Sequence, residues 1–265
     1  MLGKLIKYEF KESWQPMVIV FGLLLGVALI DGIAMRIGSR IELFADVMAV
    51  IFVLLIGVAG VLVVVWTVKR FYDNLLSDQG YMTMTLPASA AEQVGAKLIV
   101  SLVWILAYAA AVLLSLGLLF VASGGYAEVV RQGISSDFQQ FQTSVAQYHL
   151  WVSFWLYLVS AVVSLAETIL TVYFAMAVGQ LVHRHRGLLS VATWIAIFVV
   201  EQICSFRIMY TMFGNMNTIV STTDFSKVVA AFNQFGVIGL VITLAVGAIW
   251  FIGTSWILDR HLNLE

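Results

Sequence analysis

Two glutamates, Glu167 and Glu201, are the residues best placed to do chemistry in this chain, because both fall inside long apolar runs. A carboxylate in hydrocarbon is costly to keep, and acids at such depth usually serve a function. The chemistry open to them is cation binding or proton transfer along a translocation path. The structural alternative is a protonated glutamate hydrogen-bonded to a neighbouring helix. Glu167 sits near the middle of the fourth run. Glu201 lies about 20 Å from the inner end of the fifth at 1.5 Å per residue, and so in its outer half, with Arg207 shortly after it. Other chemistry is poorly provided for. His183-Arg-His-Arg186 has no carboxylate or cysteine beside it, which favours a basic loop against lipid phosphates over a metal site. The single cysteine, Cys204, excludes an intrachain disulfide and a CxxC metal site. His149 has no evident partner, and no Ser/His/Asp or Cys/His set gathers on one side of a membrane. No G-x-x-x-x-G-K-[ST] run occurs, so ATP cannot be held through a P-loop. No catalytic residue, metal or cofactor is therefore expected on this chain.

The elements that must position the two acids are membrane spans. The chain is 62% hydrophobic and 11% charged, against roughly 25% charged in soluble domains. Too few charges remain to cover a water-facing surface. The apolar runs are continuous rather than alternating, which excludes a barrel. Six runs, at about 17–36, 46–68, 97–122, 150–182, 188–206 and 235–258, are each long enough to span a hydrocarbon core of about 30 Å. Before them, Leu2, Ile6, Phe10 and Trp14 recur every four residues while Lys4, Lys7 and Lys11 take another face. This predicts an amphipathic helix over 1–15 lying on the membrane lipid, ended by a corner at Pro16, with a frayed cytoplasmic extension of the first spanning helix as the alternative. The N-terminus does not read as a cleaved signal, since Glu9 and Glu12 sit in the would-be basic region. The expected fold is an all-α membrane protein of one domain.

Orientation follows from basic residues near the span ends. With the N-terminus inside, Lys4, Lys7, Lys11, Lys69, Arg70, Lys97, Arg184, Arg186 and Arg260 lie on the cytoplasmic side, nine against five outside at Arg36, Arg40, Arg131, Arg207 and Lys227. Both termini are thus expected in the cytoplasm of a multi-pass cell-membrane protein. The outer side receives two loops, 123–149 and 207–234. Phe138, Phe141, Val145 and Tyr148 predict a short surface helix in the first, capped at Ser135, Ser136 or Asp137. The second is apolar enough to dip back into the bundle. Gly22-x-x-x-Gly26 permits close helix packing. A net charge of −1 argues against a nucleic-acid partner.

The segment 69–97 carries the most specific pattern. Lys69 and Arg70 close the second span at the surface. Phe71, Leu75, Tyr72 and Leu76 line one side of a short helix, and Gly80 suits its C-cap. Tyr81, Met82 and Met84 are apolar side chains on an otherwise polar loop. Pro87 then breaks the chain, and Ser89 with Glu92 forms a capping box that starts the third span. Such a loop reads as a docking surface, or as side chains lying in the headgroup region.

The run Arg70-Phe-Tyr-x-Asn-Leu followed by Asp78-x-Gly-Tyr-Met-x-x-Thr-Leu-Pro87 resembles the signature of ABC-2-type permease subunits of bacterial ABC exporters, as do the opening Met-Leu-Gly-Lys-Leu-Ile-Lys-Tyr-Glu-Phe and the six-span layout. The resemblance implies that 69–97 holds a cytoplasmic coupling helix seated in a cleft of a separate ATPase subunit, with Phe71, Tyr72, Leu75, Gly80, Tyr81 and Met82 at the contact. It implies that residues 1–15 form an elbow helix and 207–234 an outer re-entrant element. It further implies a bacterial cell membrane, and a second permease chain, the same or different, that supplies the other half of the path. Two other classes remain open at this point: a signalling or immunity protein whose loop holds some other partner, and a gradient-driven secondary transporter using Glu167.

Overall fold

The computed structural model describes residues 2–37, 42–76, 88–125, 135–182, 185–220 and 225–260. These are helical almost throughout: α1 (Leu2–Ile37), α2 (Glu42–Phe71) continuing into a π-helical turn (Tyr72–Leu76), α3 (Ala90–Ala122), α4 (Ser135–Gln147), α5 (Leu150–Gly179), α6 (Arg186–Val220) and α7 (Phe225–Arg260). Six of them are long and apolar enough to cross a membrane. Their outward faces carry bare aliphatic side chains such as Val53, Leu113, Leu188 and Ile252. A surface of that kind calls for lipid as its solvent, since water-soluble monomers rarely show apolar patches of more than a few hundred Å². The chain is an all-α, polytopic membrane protein.

The helices gather into two compact units, residues 1–70 with 99–138, and residues 71–98 with 139–265. In the first, one helix runs unbroken from Leu2 to Ile37 with Pro16 inside it. The corner expected at Pro16 is absent. Proline removes one backbone donor, but side chains on the preceding turns hold that part of α1 in place. Glu9 and Glu12 both pair with Arg70 of α2, at 2.6 and 2.7 Å. The Trp104 indole donates to the Ser13 hydroxyl at 2.9 Å, and its rings meet Phe10 and Phe21 at 5.6 and 6.2 Å between centroids. Lys4, Lys7 and Lys11 are exposed and Leu2, Ile6 and Phe10 half-buried, whereas Trp14, the last residue of the expected apolar stripe, is exposed. Further along, Tyr108 donates to the Ile56 carbonyl at 2.6 Å.

Close approach within this unit does not use Gly22 or Gly26, since a Cβ added at either would meet nothing within 4 Å. It uses Gly32, where a Cβ would stand 2.5 Å from the Ala122 Cβ and 3.0 Å from the Leu119 carbonyl oxygen. Backbone on one side and a methyl on the other leave no room to yield. Gly32→Val is therefore expected to destabilise the protein by about 1–3 kcal/mol through overpacking, and Gly22→Val to be near neutral. Denaturation midpoints of the two variants in mixed micelles check this.

The second unit is built on α5. It packs most extensively along α7 and next along α6. Tyr157 donates to the Phe232 carbonyl at 2.9 Å, Leu156 lies against Gly236, Glu167 against Gly247 and Phe174 against Gly253. These pairs advance together in sequence, so α5 and α7 run parallel. Gly179 meets Ser190 where α5 turns back into α6, which makes α5 and α6 antiparallel. Small residues at these crossings let the backbones approach, as helix packing in lipid requires. The capping box forms as predicted: Glu92 N–H donates to Ser89 Oγ and Ser89 N–H to Glu92 Oε2, both at 3.2 Å.

The expected helix in 123–149 is present as α4, with Val145 buried and Phe138 and Phe141 exposed. The stretch 207–234 differs from the expected loop. It is helical over 207–220 as the end of α6 and over 225–234 as the start of α7. With no proline in it and apolar residues recurring throughout, the stretch satisfies its backbone by extending two helices.

Candidate functional site

Glu167 and Glu201, about 34 residues apart in sequence, face each other across the α5–α6 crossing, within electrostatic and hydrogen-bonding reach. The antiparallel register that sets Gly179 beside Ser190 brings them level. On α5, Ser164, Glu167, Thr168 and Thr171 fall on one face by helical spacing. On α6, Trp194, Phe198, Glu201, Ser205 and Ile208 recur at alternating steps of four and three and form one stripe. With Ile242, Thr243 and Val246 of α7 they line an open cleft of about 420 Å³. The acids lie deep. Glu167 is about 26 Å from the start of α5 and about 18 Å from its end, and Glu201 about 22 Å from the start of α6.

The two carboxyls are held differently. Thr171 is buried beneath Glu167 and its hydroxyl lies 2.9 Å from Glu167 Oε1 and 3.1 Å from the Glu167 carbonyl. One hydroxyl proton is shared between two acceptors, so the carboxyl is steered but not saturated. Glu201 Oε1 is buried with no hydrogen-bond partner. The Trp250 indole of α7 approaches the same carboxyl, but its Nε1 closes no hydrogen bond of ordinary geometry. The arrangement therefore presents unspent acceptor and donor capacity at the cavity wall. Trp194 and Phe198 stack at 5.9 Å along that wall. No lysine or arginine is among the described lining residues.

A second, shallower groove of about 390 Å³ shares Glu167 and Thr243 with the first. Its other lining residues, among them Leu98, Leu170, Leu244 and Phe251, are nearly all apolar. Glu167 thus stands between a polar chamber and an apolar one. Among the described residues, no group of three or more His, Cys, Asp or Glu side chains is placed to hold a metal ion.

The residues expected at a partner contact are distributed unevenly. Phe71 is 1% exposed and Leu75 0%. Phe71 stacks face to face on Tyr173 of α5, with centroids 3.8 Å apart and planes at 11°. Their apolar surface is already covered within this chain. Tyr72 is exposed. Gly80, Tyr81 and Met82 lie outside the described residues, as do His183 and Arg184.

Sequence reasoning passed over Asp31. It is fully buried in α1, beside the close crossing at Gly32, and both carboxyl oxygens lack a hydrogen-bond partner. An acid inside the first apolar run was the signal available. Trp250 was likewise unremarked, because only the registers of α6 and α7 along α5 together bring it to Glu201.

Fold and site together define a polytopic helical membrane protein with six candidate spans and an acid-lined cavity within one of its two helical units. No family model matches the chain, and neither a curated protein nor a solved structure matches it.

Proposed function

We propose that this chain is the membrane-spanning permease subunit of an ATP-driven exporter, working with a separate ATPase subunit and a second permease chain. Both termini and residues 77–87 lie on the cytoplasmic side in this reading. The observation that carries it is the footing of the segment after the second span. Phe71, Leu75 and Leu76 are buried and Phe71 is stacked on Tyr173, six residues along the same helix from Glu167, about 9 Å on its axis. A push applied to a loop rooted in this way is delivered to the helix that lines the cavity. Coupling of this kind needs a rigid connection between the loop that receives ATP-driven motion and the element that gates the path. The sequence resemblance over 69–97 supports the same assignment. In it, Phe71 and Leu75 anchor the loop, while Tyr72, Gly80, Tyr81 and Met82 provide the partner surface.

The test is copurification. Tyr81→Ala with Met82→Ala is expected to weaken retention of the ATPase subunit at least tenfold, since burying one such side chain is worth roughly 1.5–3 kcal/mol. Folding of the permease itself is expected to be unchanged. Full retention together with normal export defeats the assignment. The Glu167–Glu201 pair favours a second reading, a carrier driven by an ion gradient. Transport that persists without ATP and collapses with the gradient selects it.

A further inference from the structure

We infer that the paired cavities of α5, α6 and α7 form one binding site for an amphiphilic organic monocation, its charged head in the chamber between Glu167 and Glu201 and its hydrocarbon tail in the apolar chamber beyond Glu167. The inference deepens the exporter reading by naming a substrate class, and it rests on that reading only for the direction of transport.

Four features of the site point to that ligand. Two carboxyls on different helices converge on one space with no cationic side chain among the described lining residues to neutralise them. With one proton shared between the two carboxyls, a single cation from outside supplies the missing charge. The wall beside them is aromatic, with Trp194 and Phe198 stacked along α6, and an aromatic face attracts a weakly hydrated organic cation once water is excluded. Glu201 Oε1 is buried without a partner. A strongly hydrated inorganic ion would need several oxygen ligands at short range, whereas the remaining lining polar groups are hydroxyls committed in part to backbone carbonyls, as Thr168 is to Ser164 and Thr243 to Gly239, both at 2.9 Å. Finally, an adjacent open groove shares Glu167 and Thr243 with the first and is otherwise almost wholly apolar. A polar ligand leaves that chamber unfilled, and a neutral lipid-like ligand leaves the carboxyls uncompensated. A molecule with one cationic end and one apolar end satisfies both. Each chamber falls within the usual size range of small-molecule pockets, about 300–1,000 Å³.

The experiment is equilibrium binding of radiolabelled dodecyltrimethylammonium to the purified full-length protein in nanodiscs of neutral lipid, with empty nanodiscs as background. Saturable binding is expected for the wild-type protein. Glu167→Gln with Glu201→Gln is expected to weaken it about 10- to 100-fold, the range for losing hydrogen bonds to a charged group. Asp46→Asn, which removes an exposed carboxylate in the other unit, is expected to leave it unchanged. Competition by shorter trimethylammonium homologues is expected to fall steeply with each methylene removed, by up to about fourfold. The uncharged isostere with carbon in place of nitrogen is expected not to compete. Monodisperse elution of the double variant separates loss of site from loss of fold. Absence of saturable binding, equal affinity in the double Gln variant, or full competition by the neutral isostere overturns the proposal. Tail-length independence overturns the two-chamber form of it. An ATPase subunit that still copurifies in any of these cases leaves the exporter reading standing.

Discussion

Replacing Phe71 by alanine is expected to cost about 3–5 kcal/mol of stability, the range for removing a buried aromatic side chain and leaving a cavity. The ring is 1% exposed and lies flat on Tyr173. Leu75 and Leu76, equally buried one turn on, cannot fill the space without leaving their own positions. Tyr173→Ala is expected to be comparably severe, and the double variant less severe than the sum. Residues in direct contact share their energy, and a stacked aromatic pair contributes about 0.5–1.5 kcal/mol beyond its buried area. The measurement is the denaturation midpoint of purified protein in mixed micelles for both singles and the double. Strict additivity would mean that the two rings touch without sharing energy. If the loop is coupled to α5 through this stack, Phe71→Leu, which keeps most of the volume but not the flat contact, should retain the fold and lose export efficiency. Full export by Phe71→Leu would transfer the coupling role to the backbone of the π-helical turn.

That outcome bears on what the sequence could disclose. The spans were legible because their signal is local: a continuous apolar run of sufficient length has one solution in lipid, a helix. The capping box at Ser89 and Glu92 was legible for the same reason, being complete within four residues. Amphipathic faces were legible as faces but not as to what covers them. Phe71, Leu75 and Leu76 form an apolar stripe in sequence, and an apolar stripe beside charged residues reads equally as a docking surface or as an internal seam. Tyr173, which decides between the two for Phe71, lies about 100 residues further along the chain. Glu167 and Glu201 were individually visible as acids in apolar runs. Their convergence was not, because it depends on the antiparallel register of α5 and α6. The choice of Gly32 over Gly22 and Gly26 as the close crossing is also tertiary: the spacing of small residues permits contact, and the position of Ala122 decides where it occurs. Pro16 and the stretch 207–234 show the converse: a local breaker or a loop-like composition does not by itself end a helix whose backbone must be satisfied in a membrane.

The second large effect is expected at Arg70. Its side chain is 11% exposed, and it binds Glu9, 15% exposed, at 2.6 Å through Nε and Glu12, 70% exposed, at 2.7 Å through a terminal nitrogen. The two arms are not equivalent. The Glu12 arm is an exposed pair and is worth about 0–1 kcal/mol. The Glu9 arm is largely withdrawn from solvent, where a charge pair is costlier to break than at the surface. Arg70→Met is therefore expected to destabilise the protein by about 3 kcal/mol, the lower end of the range for breaking a buried pair. Restoring neutrality changes the sign of the next step. Glu9→Gln introduced on top of Arg70→Met is expected to recover much of the loss, because exchanging both members of a buried pair for uncharged groups of similar size is often neutral. Glu12→Gln on the same background is expected to recover little. The three variants, compared by denaturation midpoint at low and at 1 M salt, separate the arms, since screening acts on exposed charges far more than on buried ones. A small, salt-sensitive loss for Arg70→Met, with no rescue by Glu9→Gln, would show both arms to be surface contacts. The continuity of α1 through Pro16 would then rest on Ser13, Phe10 and Trp104 rather than on charge.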